Sequence, residues 1–252
     1  MDTFRLILAA SLFCISLVGC STAWPESRLT QYLGTTSQPE RTQLELAKLG
    51  MITAGLLVIN DTSFAHSAPQ LSKESFDSIQ AHVQARLLHD GSMTLVQMDS
   101  SSASDSPVQL DSLLQMARDQ HLAYLVLAVV SSTEIETPER LPLGGFFNRG
   151  GMQGFLNGFR AENFALAELV LLDVGTGQAL LQSDGQAWAS LERLAVPLES
   201  NVYPVVRRDL EIPPIYPTSE ENAHDVLRAV ASSEAIDQAV MHFSESWKKA
   251  RG

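Results

Sequence analysis

Downstream of residue 50 the chain alternates between short apolar runs and stretches where apolar residues recur every three or four positions. "MITAGLLVI" (Met51 to Ile59) is one such run, rich in Ile, Val and Leu and closed by the turn-forming "NDTS". Its length and composition predict a buried strand. From Ser72 the period changes: Phe76, Ile79, Val83 and Leu87 recur at helical steps, with Lys73, Glu74, Asp77, Gln80 and Gln84 between them. That pattern predicts an amphipathic helix with Ser72 as N-cap and a stop near Gly91. "MTLVQM" (Met93 to Met98) predicts a second strand. "SPVQL" then offers Ser106 as cap, Pro107 at the first helical position and Gln109 at the third, a capping box. The helix it opens carries Leu110, Leu113, Leu114 and Ala117 along its stripe. "LAYLVLAVV" (Leu122 to Val130) is apolar at both parities, as a central strand covered on both faces requires.

The pattern lapses over "LPLGGFFNRGGMQGFLNGFR", Leu141 to Arg160, which holds six glycines together with Phe146, Phe147, Phe155 and Phe159. With neither strand alternation nor helix caps, it predicts a loop over 141–160. "NFALAELVLLDV" and "QALLQSDGQAWASL", joined by "GTG" (Gly175 to Gly177), predict a long antiparallel hairpin. A Pro-rich loop follows over 197–217. Thr218 and Glu221 form a second capping box, opening a closing helix with Val226, Leu227, Val230, Ile236, Val240, Phe243 and Trp247 on its apolar side. A break is expected at Ser232-Ser233. The order β-α-β-α-β-β-β-α defines a single α/β domain over 46–252. Its sheet is expected to be mixed, because helical crossovers impose parallel neighbours and the hairpin an antiparallel pair.

The N-terminal end follows another logic. Leu6 to Val18 is an apolar segment of 13 residues after Arg5, interrupted only by Ser11, Cys14 and Ser16. That suits the core of a secretory signal and is shorter than the roughly 20 apolar residues a spanning helix needs. The run ends in Leu17-Val18-Gly19-Cys20, which resembles the bacterial lipobox. The resemblance implies removal of residues 1–19, acylation of Cys20 and, with Ser21 rather than Asp next, transfer to the outer membrane. The alternative is an ordinary signal cleavage with Cys20 incidental. Two or three acyl chains, each buried methylene worth about 0.8 kcal/mol, would anchor the chain firmly. Residues 20–45, a mixture of Ser, Thr, Gln and Pro at first, read as a lipid-anchored tether. Within it Leu29, Tyr32 and Leu33 are spaced for one helical turn that docks on something.

Composition narrows the classes of function. Cleavage removes Asp2 and Arg5, so the formal charge of −12 is unchanged. Such an acidic domain is a poor ligand for nucleic acid or for anionic lipid headgroups. Cys14 leaves with the signal and Cys20 carries lipid, so the sequence offers no disulfide and no thiolate metal site.

Motifs for chemistry are lacking: no nucleophile elbow, phosphate loop, zinc-protease pair or dinucleotide fingerprint occurs. His82 and His89 share a helix face but are seven apart, where a metal pair wants three or four, and His66, His121, His224 and His242 are scattered. Asp61, just past the first strand, and Asp99 with Asp105 are candidate acid–base carboxylates or ordinary turn aspartates. The expectation is therefore no catalytic residues, no metal and no cofactor. The candidate interaction residues are Phe146, Phe147, Phe155 and Phe159, in a segment that either orders against a partner or the membrane or is disordered.

The late hairpin, with "D-x-x-TG-x" at Asp173 to Gln178, resembles the small α/β domains of bacterial envelope lipoproteins, a group including the N-terminal domain of TolB and the secretion lipoprotein CsgG. "SRLTQYL" (Ser27 to Leu33) after a lipid cysteine is similar to the start of rhombotarget lipoproteins. Such a likeness of fold carries no function; with no chemistry found, the expectation is a non-enzymatic lipid-anchored module of the bacterial cell envelope that docks another envelope protein through its Gly/Phe and Pro-rich loops. A subunit of a CsgG-like oligomeric secretion pore is the alternative that the CsgG likeness suggests. Clean alternation of lipid-facing and lumen-facing residues, which a pore strand needs, is missing from both the Gly/Phe and the Pro-rich segments.

Overall fold

The computed structural model describes residues 24–34, 50–89, 93–98, 109–142, 154–196, 202–208 and 213–251. Its elements run α1 (Leu29–Leu33), β1 (Ile52–Asp61), α2 (Lys73–His89), β2 (Met93–Gln97), α3 (Leu110–Asp119), β3 (Tyr124–Pro142), β4 (Phe155–Asp173), β5 (Ala179–Leu194), β6 (Val205–Arg207) and α4 (Glu220–Arg251). They build a mixed α/β fold on one six-stranded sheet of order β2-β1-β3-β4-β5-β6. β1 runs parallel to β2 and β3, while the pairs β3–β4, β4–β5 and β5–β6 are antiparallel. The two crossovers each contain a helix, which is why the first half of the sheet is parallel.

Each face of the sheet has its own core. Leu56, Val58, Val126, Ala128, Leu169 and Leu171 pack with Ile79 and Val83 of α2 and with Ala231, Ala235, Ile236 and Phe243 of α4. Leu57, Ile59, Leu125, Leu127, Val170 and Leu172 pack instead with Leu113, Leu114 and Ala117 of α3 and with Leu29, Tyr32 and Leu33 of α1. The double parity of "LAYLVLAVV" is thereby explained, since Leu125, Val126 and Leu127 are all fully buried.

Helix α4 continues through Ser232-Ser233, where a break was expected. A serine pair costs only fractions of a kcal/mol in helix propensity. Burial of Ala231, Ala235, Ile236 and Ala239 on the sheet outweighs that. The small side chains let the helix backbone approach β5 so closely that a Cβ on Gly185 would collide with the Ala235 carbonyl and the Ala239 amide. The capping box of α4 is also shifted by one: Ser219 Oγ accepts from Asn222 N at 3.4 Å and Asn222 Oδ1 accepts from Ser219 N at 3.3 Å. Ser72 caps α2 as read, its Oγ accepting from Ser75 N at 3.2 Å. In α3 the helix begins at Leu110, with Gln109 extended at ψ 146° as N-cap rather than third helical residue. Ser106, Pro107 and Gly91 lie outside the described residues.

Two predicted loops contain strand. β3 runs on to Pro142 and β4 starts at Phe155, so the segment 141–160 is paired at both ends. The Pro-rich 197–217 holds β6, which pairs with Ser190–Glu192 and adds a strand to the expected order, while Ile215 bridges Val206. In the hairpin turn, Asp173 accepts from the Thr176 amide at 2.7 Å and Gly177 takes φ 72°, a left-handed value that glycine adopts without strain.

Candidate functional site

The tether reading fails for Trp24 to Gly34. Leu29, Tyr32 and Leu33 are buried in the second core, which makes α1 part of the domain. Five residues of helix are far too few to persist alone, so tertiary contacts must hold them. Glu168 of β4 supplies one set: its Oε2 accepts from the amides of Arg28 at 2.7 Å and Leu29 at 3.1 Å, and its Oε1 accepts from Ser27 Oγ. A carboxylate thus caps the amides at the start of α1.

Arg28 supplies the other set. Its Nε donates to Asp61 Oδ2 at 3.0 Å, and its Nη2 donates to Ser63 Oγ at 2.9 Å and Gln31 Oε1 at 2.6 Å. The guanidinium also stands over the Phe64 ring at 4.9 Å. Asp61 in turn accepts from the Ser63 amide and hydroxyl. Burial pushes the Asp61 carboxyl up, but the Ser63 and Arg28 hydrogen bonds win and hold it below its ordinary value. Burial and the neighbouring Asp61 charge push the Tyr32 phenol well above its ordinary range. Asp61 is therefore engaged in holding α1. Asp99 and Asp105 lie outside the described residues.

Between α1 and β5 runs a groove of about 350 Å³, floored by Leu166 and Glu168 and walled by Thr30, Leu33, Gln182 and Asp184. It is open because α1 and α3 cover β1, β3 and β4 on that face and stop short of β5, where Gln182, Asp184, Gln186 and Trp188 are exposed.

Beyond the helices β3 and β4 continue as a paired stem out to Pro142 and Phe155. Charged residues rung its faces: Arg160 reaches Glu139 at 3.4 Å and Glu192 at 3.3 Å, and Arg193 reaches Glu136 at 2.8 Å. Leu141, Leu194, Tyr203 and Val205 form a small core of their own here, with Tyr203 Oη donating to the Pro142 carbonyl at 2.8 Å. Among the described residues of the stem, charged side chains occur on both faces, Glu136 and Arg140 on one and Glu139 and Arg160 on the other. Of the four candidate phenylalanines, Phe159 lies 4.6 Å beneath the Arg193 guanidinium and belongs to the stem. Phe155 is 55% exposed at the stem's end. Phe146, Phe147 and Cys20 lie outside the described residues.

The histidines are dispersed. His82 meets Asp237 at 2.9 Å, His224 meets Glu134 at 2.6 Å, and His242 meets the Asp184 carbonyl at 2.7 Å. Among the described residues no three His, Cys, Asp or Glu converge as a metal site would require. No helix among them is long and apolar enough to cross a membrane. Sequence reasoning missed Arg28 and Glu168. The signal for Glu168 was present: a lone carboxylate inside "NFALAELVLLDV" must find partners when that strand is buried.

No family model matches the sequence. No curated protein matches it either. Solved structures that align with this chain include a neuraminyllactose-binding hemagglutinin homologue from Helicobacter pylori, at 7% identity and TM-score 0.40 over 80% of this chain and 89% of that one. A hypothetical protein from Chlamydia trachomatis aligns at 12% identity and TM-score 0.37, over 77% and 98%. A minor lipoprotein from Acinetobacter baumannii aligns at 10% identity and TM-score 0.32, over 77% and 93%. At such TM-scores none of these likenesses bears on activity or partners.

Proposed function

We propose that the protein is a lipid-anchored component of the bacterial cell envelope, held in the outer membrane by acyl chains on Cys20, that acts by docking another envelope protein. The lipobox-like end of the apolar run supports the anchor. The observation that carries the docking role is the stem of β3 and β4, which leaves the helical layers and ends with the Phe155 ring exposed. An aromatic side chain presented at the end of a braced ribbon is a ready interface anchor, because it brings large contact area at low entropy cost. The charged rungs behind it fix the ribbon's shape.

Cells carrying wild type, Phe155→Ser or Phe155→Asp are crosslinked, and the native lipoprotein is recovered from membranes. Both variants are expected to melt like wild type and to lose the wild type's crosslinked partner. Retention of that partner by both variants would remove the stem from the docking role.

A further inference from the structure

Three aromatic side chains gather on the open face of the sheet. Trp24 stands edge-on against Phe164, ring centroids 5.2 Å apart and planes at 68°. Phe164 is paired across the strands with Trp188, and directly opposed residues of an antiparallel pair share a face. Trp188 is 45% exposed. Ile135, 46% exposed, lies diagonally from Phe164 on the same face, since Thr133 opposes Phe164 and Ile135 opposes Glu162. A patch of this kind on a chain of net charge −12 needs an occupant.

Chain length names it. Trp24 follows Cys20 by four positions. Four residues span at most about 14 Å, and the acylated thiol must sit at the level of the headgroups. Trp24 is clamped to the domain through Phe164 and through the Arg28 and Glu168 contacts only a few residues on. The patch therefore cannot leave the neighbourhood of the bilayer surface, whatever the rest of the domain does. Indole rings, apolar with one polar edge, partition to that interface.

We infer that Trp24, Phe164 and Trp188 form a membrane-facing patch that seats the domain on the lipid headgroups next to its anchor, an inference that rests on the lipid-anchor reading of Cys20. The seat turns the α1–β5 groove towards the bilayer and the α2–α4 face away from it. Its attraction comes from aromatic insertion rather than charge, so it is insensitive to salt.

The natively acylated full chain is reconstituted into phosphatidylethanolamine–phosphatidylcholine vesicles whose acyl chains are brominated near the headgroup. The part of the tryptophan emission that Trp188→Phe loses is expected to be quenched in wild type, equally at low and high salt. In cells, a photo-crosslinking residue at position 188 is expected to yield lipid adducts. A Trp188 contribution, taken as wild type less Trp188→Phe, that stays unquenched in vesicle-bound, acyl-labelled protein would overturn the seat while leaving the anchor intact. A protein adduct at position 188 in place of lipid would also overturn it, giving the patch to a protein partner. A chain with no acyl label would overturn seat and anchor together.

Discussion

Arg28 and Asp61, thirty-three residues apart, form a buried ion pair at 3.0 Å that fastens the segment after the proposed anchor to the end of the first strand. Removing one member of such a pair leaves an uncompensated buried charge, a loss of about 3–5 kcal/mol. Arg28→Ala is therefore expected to lower the melting temperature by many degrees and to expose Leu29 to Leu33 to protease, whereas Arg28→Met with Asp61→Leu recovers much of the loss. Limited proteolysis with N-terminal sequencing checks both; an Arg28→Ala protein as resistant as wild type would show that α1 is held without the pair.

The same pair predicts a pH response. The folded Asp61 carboxyl titrates below its unfolded value of 3.8 because Ser63 and Arg28 outweigh burial. A carboxyl shifted in that direction stabilises the fold above the unfolded value, and the contribution disappears as pH falls through the folded one. Protease protection of α1 is expected to be constant through neutral pH and to fall below about pH 3.8, with the fall absent from the Arg28→Met, Asp61→Leu protein.

Val126 has 0% exposure at the centre of the sheet. Val126→Asp would bury an unpaired carboxylate, at a cost of several kcal/mol, comparable to the whole stability of a domain. No cooperative thermal transition is expected. A melt near that of wild type would place β3 at a surface.

Gly185 is where α4 touches β5. A methyl group there meets helix backbone rather than a movable side-chain tip. Gly185→Ala is expected to destabilise by about 1–3 kcal/mol, the usual cost of overpacking. Gly175→Ala, which meets only the Asp173 side chain at 3.2 Å, serves as control and is expected to change stability far less. Urea titration of both variants distinguishes them.

Paired ends alter what may be removed from the Gly/Phe segment. Deleting Gly144 to Gln153 leaves Leu143-Gly154 to connect the opposed Pro142 and Phe155, a two-residue turn of the kind hairpins favour. Its melting temperature is expected to stay near wild type. Deleting Gly144 to Gly158 also removes four rungs of the stem and breaks the tight contact of Gly158 with Leu141, so it is expected to melt well below the shorter deletion. Equal melting of the two would show the stem to be dispensable.

Local pattern was enough for the class of fold. A strand buried on both faces must be apolar at both parities, and a helix on a sheet must repeat near 3.6, so β1, α2, β3 and α4 are written in the order of their side chains. The turn at Asp173 to Gly177 is equally local, because its hydrogen bonds join residues three apart. Strand ends are not local. Thr133 to Pro142 is rich in Glu, Thr and Pro, and only the opposing ladder of β4 makes it strand. The unbroken course of α4 likewise depends on burial against β5, which no window around Ser232 contains. The seat of α1 was half legible: Leu29, Tyr32 and Leu33 showed a face in search of a surface, while its partners Asp61 and Glu168 are 33 and 139 or more residues away. Their pairing, and the meeting of Trp24 with Phe164 beside Trp188, was decided by tertiary structure alone, because only the assembled sheet brings distant polar and aromatic groups within hydrogen-bonding and packing distance.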